Sequence, residues 1–347
     1  MDNTLSGVAM GAALTTAGVY SPDIILSQFK FSDFTMLQTF LTAAAGSTLV
    51  VTLSQALGLT QLPPRSATSL GLLPTRYDGN LIGGALLGAG MAISGACPGT
   101  ALAQLGVGVR SGRWAFGGAV LAGIVWAGIQ RRQRQAAAAE KTKKQAAATD
   151  KDTTEPSLTT TTTTTKPCPS GPSLDTFLGT SKPAAATVLE STLLLALFAL
   201  SRLTPATAAL ARGVPPYLGG LAIAAAQAIS LVLRKTPIGA SSAFEELGWY
   251  FYPGAARKYT HLLFSAGLVG GAWLAAQAFP TLRPVVEVAV SPVRSVVGGF
   301  LIVFGARIAG GCTSGHGISG LSLMSVSSFV TVAATFVAGG LVGLVLN

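Results

Sequence analysis

The chain has 347 residues, half of them hydrophobic and only 10% charged, with a mean hydropathy of +0.56. Soluble domains carry about 25% charged residues, so this composition excludes an ordinary soluble domain and indicates an integral membrane protein. The formal net charge of +10 does not mark a nucleic-acid binder. Nine of the 23 basic residues lie in the segment 130–186, and most others punctuate the ends of apolar runs, a pattern that sets membrane orientation.

In chain order, apolar runs over 5–20, 34–57, 81–94 and 114–129 predict four helical membrane segments. The start, Met1-Asp2-Asn3-Thr4, lacks a basic n-region, so the first run reads as a retained span rather than a cleaved signal peptide. From residue 130 the character changes. Arg131, Arg132 and Arg134 follow the apolar run, an Ala/Gln/Lys tract comes next, and then the threonines Thr159 to Thr165. Such a stretch cannot bury enough apolar surface to fold, so 130–186 is expected to be a disordered tether. Its basic cluster beside a span end predicts a cytoplasmic position. Further apolar runs follow over 187–200, 218–233, 261–279, 296–309 and 327–346.

The expected organisation is therefore a membrane half over 1–129, the tether over 130–186 and a second membrane half over 187–347. Several runs fall short of the roughly 20 residues that a span needs, which predicts half-helices or re-entrant pieces. Glycines four residues apart, as in Gly84/Gly88, Gly267/Gly271 and Gly339/Gly343, predict close helix packing in lipid.

Two short motifs interrupt the apolar runs: Gly95-Ala96-Cys97-Pro98-Gly99-Thr100 and Gly311-Cys312-Thr313-Ser314-Gly315-His316. A shift of 215 positions lays one on the other, carrying Gly83-Gly84 onto Gly298-Gly299, Gly90 onto Gly305 and Gly95 onto Gly310. Matched interruptions of this kind point to a transporter's central site, between repeats that place substrate near the bilayer midplane. The fold class expected is all-α and integral to the membrane. Its two pseudo-symmetric, inverted-repeat halves carry broken helices that meet at the centre.

Pro98 suits the first turn of a new helix, which puts Cys97 at or beside its cap. Around the second motif, Gly310-Gly311 should end one helix, and Thr313 or Ser314 should cap the next, which runs from there through Ile318 to Met324. Free N–H groups and the positive dipole end make each cap an anion seat and lower the pKa of a thiol placed there. A soft sulfur in a dry cradle suits an anion bearing sulfane or sulfide sulfur, whereas a sulfate site needs no thiol. Cys168, in the tether, is incidental. Arg307, the one charged residue between 295 and 347, either draws anions inward or binds carbonyls at a helix end. His316 either holds the broken backbone or touches substrate. Glu245 and Glu246, with Lys235 and Arg257 nearby in sequence, read as a loop ion-pair group rather than a proton relay.

These residues resemble the YeeE/YedE family of sulfur-compound transporters. The resemblance is strongest in Gly305-Ala306-Arg307-Ile308-Ala309-Gly310-Gly311-Cys312-Thr313-Ser314-Gly315-His316-Gly317. It extends to Ser94-Gly95-Ala96-Cys97-Pro98-Gly99-Thr100, Gly18-Val19-Tyr20-Ser21-Pro22-Asp23 and Thr236-Pro237-Ile238-Gly239. It implies passage of thiosulfate by transient S–H···S and backbone hydrogen bonds, with Cys97 and Cys312 in those roles. Some members carry a further cysteine in an early segment, where this chain reads Tyr20-Ser21-Pro22. An entry-side thiol is therefore either absent or replaced by Ser21, which leaves two thiols to carry the passage.

The substrate-binding set expected is Cys97, Cys312, Gly95, Pro98, Gly99, Thr100, Arg307, Gly311, Thr313, Ser314, Gly315 and His316. No metal or cofactor is expected. The partners expected are a small inorganic sulfur anion and the bilayer, in a plasma membrane, and no nucleic acid. The resemblance also admits a partner sulfurtransferase. The competing reading is a membrane thiol enzyme, for sulfur transfer or disulfide exchange. A CxxC pair would favour it, and the chain has none.

Overall fold

The computed structural model describes residues 1–149, 171–203, 214–253, 258–282 and 290–346. Among these it is a helical assembly without a named strand. The first half comprises α1 (Asp2–Thr16), α2 (Pro22–Phe29), α3 (Thr35–Ala56), α4 (Asp78–Ser94), α5 (Pro98–Val107) and α6 (Arg110–Thr149). Then come α7 (Leu174–Leu178), α8 (Lys182–Leu203), α9 (Pro216–Arg234), α10 (Ser242–Trp249), α11 (Thr260–Ala278) and α12 (Pro292–Ile308). A π-helical segment, Thr313–Gly320, and α13 (Val326–Val345) close the chain. An apolar chain in lipid has no water for its amides and carbonyls, so helices that satisfy them internally are the physical solution.

Every expected apolar run coincides with a helix. Among the described residues, seven helical stretches are long and apolar enough to cross a membrane. The count is up to eight if α12 and the π-helical segment, bent by 48° at their break, form one span. The first run differs from expectation. Its helix, α1, has 15 residues, about 22 Å at 1.5 Å per residue, against a hydrocarbon core of about 30 Å.

The tether differs too. Helix α6 continues past Gln130 to Thr149, because Ala, Gln, Lys and Glu are good helix formers. Cys168 and the threonine run lie outside the described residues, as does Arg257. At the far end of the tether the chain docks again. The Leu174 N–H donates to the Met324 carbonyl at 2.7 Å and the Val326 N–H to that of Pro172 at 3.2 Å.

The helices exchange contacts reciprocally between halves. Helix α4 packs on α12 and α13, and α12 packs on α4 and α6; α1 packs on α11, and α9 packs on α3. Gly83 faces Gly305 and Ala309 while Gly90 faces Gly298, so α4 and α12 run antiparallel. That direction is consistent with an inverted repeat. The glycine spacings act as packing surfaces: a Cβ on Gly84 or Gly88 would strike the carbonyls of Thr331 and Thr335. On Gly267 or Gly271 it would strike those of Thr4 and Val8, and on Gly339 or Gly343 it would meet Phe29.

Candidate functional site

Both breaks form at the cysteines. Helix α4 ends on Gly95, which takes the left-handed conformation at φ 64°, and the equivalent Gly310 follows α12 at φ 80°. A Cβ is disfavoured there, which explains why the 215-position shift pairs glycine with glycine.

After Gly95 the chain restarts at Pro98, and Cys97 is the N-cap of α5. Its sulfur accepts the Thr100 N–H at 3.3 Å, while the Thr100 hydroxyl accepts the Cys97 N–H at 2.7 Å. This is a capping box with sulfur in place of oxygen. Gln104 secures the break from within α5, its side-chain amide donating to the carbonyls of Tyr20 and Gly95 at 2.8 and 2.9 Å.

The second break is built differently from expectation. Cys312, not Thr313 or Ser314, holds the N-cap position, and the next segment is a wide π-turn over eight residues rather than a helix continuing to Met324. The Cys312 sulfur lies 3.2 Å from the Ser314 hydroxyl, with the Ser241 hydroxyl and the N–H groups of Ser241 and Gly315 also directed at it. His316 spans the break. One ring nitrogen, Nε2, lies 3.0 Å from the Ala309 carbonyl and the other, Nδ1, 2.9 Å from the Ser328 hydroxyl. A carbonyl only accepts, so Nε2 carries the proton and Nδ1 accepts from Ser328. Asn80 donates to the same carbonyl at 3.1 Å and to Thr331 at 2.9 Å. The fold engages both His316 nitrogens in holding the broken backbone.

Arg307 makes an ion pair with Glu245 at 2.7 Å and donates to the Ser241 hydroxyl at 2.9 Å. Glu245 therefore sits on α10 against the second break, not in a loop group. Glu246 caps α11 by accepting the His261 and Leu262 N–H groups, each at 2.9 Å. Neither finding involves Lys235.

A narrow cavity of about 50 Å³ joins the two breaks. Cys97, Gly99 and Thr100 line it from one side and Thr313 and Ser314 from the other. By volume it holds a few waters. Cys312, 1% exposed, stands directly behind Ser314. The chain between α9 and α10 passes between the breaks. Ala240 lies against Gly99 and Ser241 against Cys312. Gly311 and Gly315 do not line the cavity; they make room for Arg65, whose guanidinium a Cβ on Gly311 would approach to 2.9 Å.

Several participants were not among the expected residues. Arg65, from the loop before α4, donates to the Gly310 carbonyl at 3.2 Å. Its own carbonyl accepts from Ser325 and Ser327 at 2.9 and 3.1 Å. Met10, Met36 and Met91 add three thioethers to the cavity wall. Nothing in the sequence marks these methionines. The Ser241 position follows the Thr236-Pro237-Ile238-Gly239 motif closely enough to have been a signal.

A many-spanning helical protein with two broken helices meeting at a narrow waist has the architecture of a membrane transporter. The chain belongs to the Sulphur transport family, which matches residues 17–342. It is also similar to proteins named "Probable transporter" in two strains of Xylella fastidiosa, Temecula1 and 9a5c. Each is 32% identical over 124 residues, covering 36% of this chain and 87% of the relative. Nearly a whole relative thus corresponds to a length that fits one half of this chain. Family and relatives point to a transporter rather than an enzyme.

Proposed function

We propose that the protein is a permease for thiosulfate or a closely related sulfur anion, which passes the waist by way of Cys97 and then Cys312. The observation that carries this reading is the Cys97 thiol. It caps α5 with the Thr100 N–H on its sulfur and lines the same cavity as Thr313 and Ser314, the residues next to Cys312.

The α5 dipole favours a negative guest at its N-terminal end. Cys97, with the three methionines, offers soft, polarizable contacts to a sulfane sulfur. Gly99, Thr100, Thr313 and Ser314 would meet the anion. Gly95, Pro98, Gly311 and Gly315 would shape its seats. Arg307 would supply a positive field behind the second. No covalent step is needed: each thiol donates S–H to the passing sulfur and releases it to the next donor.

The two halves act as an inverted repeat in this reading, and the tether over 130–186 lies on the cytoplasmic face of the plasma membrane. The basic cluster Arg131, Arg132 and Arg134 supports that orientation. A sulfurtransferase on that face would consume the delivered sulfur.

The test is uptake of radiolabelled thiosulfate into vesicles carrying the purified chain. Cys97→Ala and Cys312→Ala should each abolish it, and undiminished uptake in both would remove the thiols from the pathway.

A further inference from the structure

A much larger space lies on the far side of the second break from the waist, walled in part by Arg131 and Arg134 at the start of the tether. Helices α6 and α10 and the start of α11 enclose a cavity of about 550 Å³. It begins next to the second break, because Ser242 and Glu245 line it while Ser241 touches both Arg307 and the Cys312 sulfur.

Its charges are unevenly committed. The wall carries the cations Arg131, Arg134 and Lys258, with the His261 ring beside them, against Glu245 and Glu246. Glu245 is paired with Arg307, and Glu246 accepts the first N–H groups of α11. The cations have no such commitment. Arg131 lies over the Tyr252 ring at 5.6 Å and Arg134 over the Trp249 ring at 4.7 Å. Neither has a carboxylate in ion-pair range among the described residues. A guanidinium held by its face keeps its N–H edge free and oriented for an oxyanion. His261 adds a buried Nδ1 with no hydrogen-bond partner among the described residues.

We propose that this cavity, walled by Arg131, Arg134, Lys258 and His261, is a second binding station for a small sulfur dianion, separated from Cys312 by the Arg307–Glu245 pair. The inference rests on the permease reading. An anion released at Cys312 would otherwise leave a stabilising waist for open water. A basin of fixed positive charge next to the exit holds it long enough for the waist to reload.

The test separates the two readings by working in a chain that cannot transport. Thiosulfate is titrated calorimetrically into the full-length Cys97→Ala protein in neutral detergent. One saturable site should remain. Adding Arg131→Gln, Arg134→Gln and Lys258→Gln together should weaken it at least tenfold, with the unfolding temperature unchanged.

An anionic lipid headgroup could satisfy the same chemistry, so the titration is repeated in phosphatidylglycerol and phosphatidylcholine nanodiscs. Equal affinity in both supports a free anion, whereas loss of binding only in phosphatidylglycerol reassigns the cavity to lipid and overturns the proposal. Binding that survives the triple substitution, or no binding in the Cys97→Ala protein while the intact chain transports, also overturns it. Uptake that persists in Cys97→Ala would instead count against the thiol at the first break and leave the basin standing.

Discussion

At Arg307 two demands meet in one side chain. Its guanidinium is 10% exposed and its partner Glu245 is 23% exposed, so each charge depends on the other for most of its solvation. Removing one member leaves an uncompensated charge, which costs about 3 kcal/mol or more in comparable settings, whereas replacing both with apolar groups of similar size is close to neutral. Arg307→Met should therefore lower the unfolding midpoint sharply, and Arg307→Met with Glu245→Leu should recover most of it. If Arg307 also provides the field at the second thiol, uptake stays depressed in the double variant after stability returns. His316 should behave differently. With both nitrogens spent on Ala309 and Ser328, His316→Ala leaves the buried Ser328 hydroxyl without its partner, since Asn80 still serves the Ala309 carbonyl, and should cost about 1–3 kcal/mol. The residual uptake per folded molecule should be near normal. A strong loss of uptake at full stability would make His316 a substrate ligand instead.

At the scale of the element, the decisive variable is how closely two helix backbones approach. A Cβ on Gly88 would collide with the Thr335 carbonyl and one on Gly271 with that of Val8, whereas Gly117 and Gly270 face open space. Gly88→Ala and Gly271→Ala should abolish the monodisperse folded species in size-exclusion chromatography. Gly117→Ala and Gly270→Ala should stabilise the protein by up to about 1 kcal/mol, through helix propensity alone.

This is also the scale at which the sequence was most readable. Apolar runs located the helices, and the paired Cys motifs located both breaks, because a glycine–proline punctuation of an apolar run is a local signal. What stayed hidden depends on the approach of distant segments. Arg65 reaches Gly310 across 245 positions. The methionines are ordinary apolar residues until they share a wall. The π-turn after Cys312 reflects what packs around Ser314 and Gly317 more than local propensity, since a Cβ on Gly317 would run into the Phe40 ring.

For the molecule as a whole, the contacts that hold it together join its two halves. Gly7, Gly11, Gly84 and Gly88 each press on a backbone from the second half, and Gly299 presses on Ala115 of the first. Asn80 bonds Ala309 and Thr331, Gln227 and Ser319 pair within the second half, and Gln104 ties α5 to Tyr20. The first break is locked within its own half, by Gln104, whereas the second is locked across the halves, by Asn80 and Arg65, alongside the close helix packing. In lipid, such glycine faces gain their stability from direct backbone contact and lose it when the opposing helix is absent. A covalent joint between the halves should then be dispensable once both are made in one membrane. Two separately encoded chains, 1–160 and 161–347, should co-purify and restore thiosulfate uptake when expressed together, and neither should accumulate folded when expressed alone. Stable accumulation of either piece alone would mean that its glycine faces are satisfied internally, and that the reciprocal packing of α4 with α12 and α13 does not hold the molecule together.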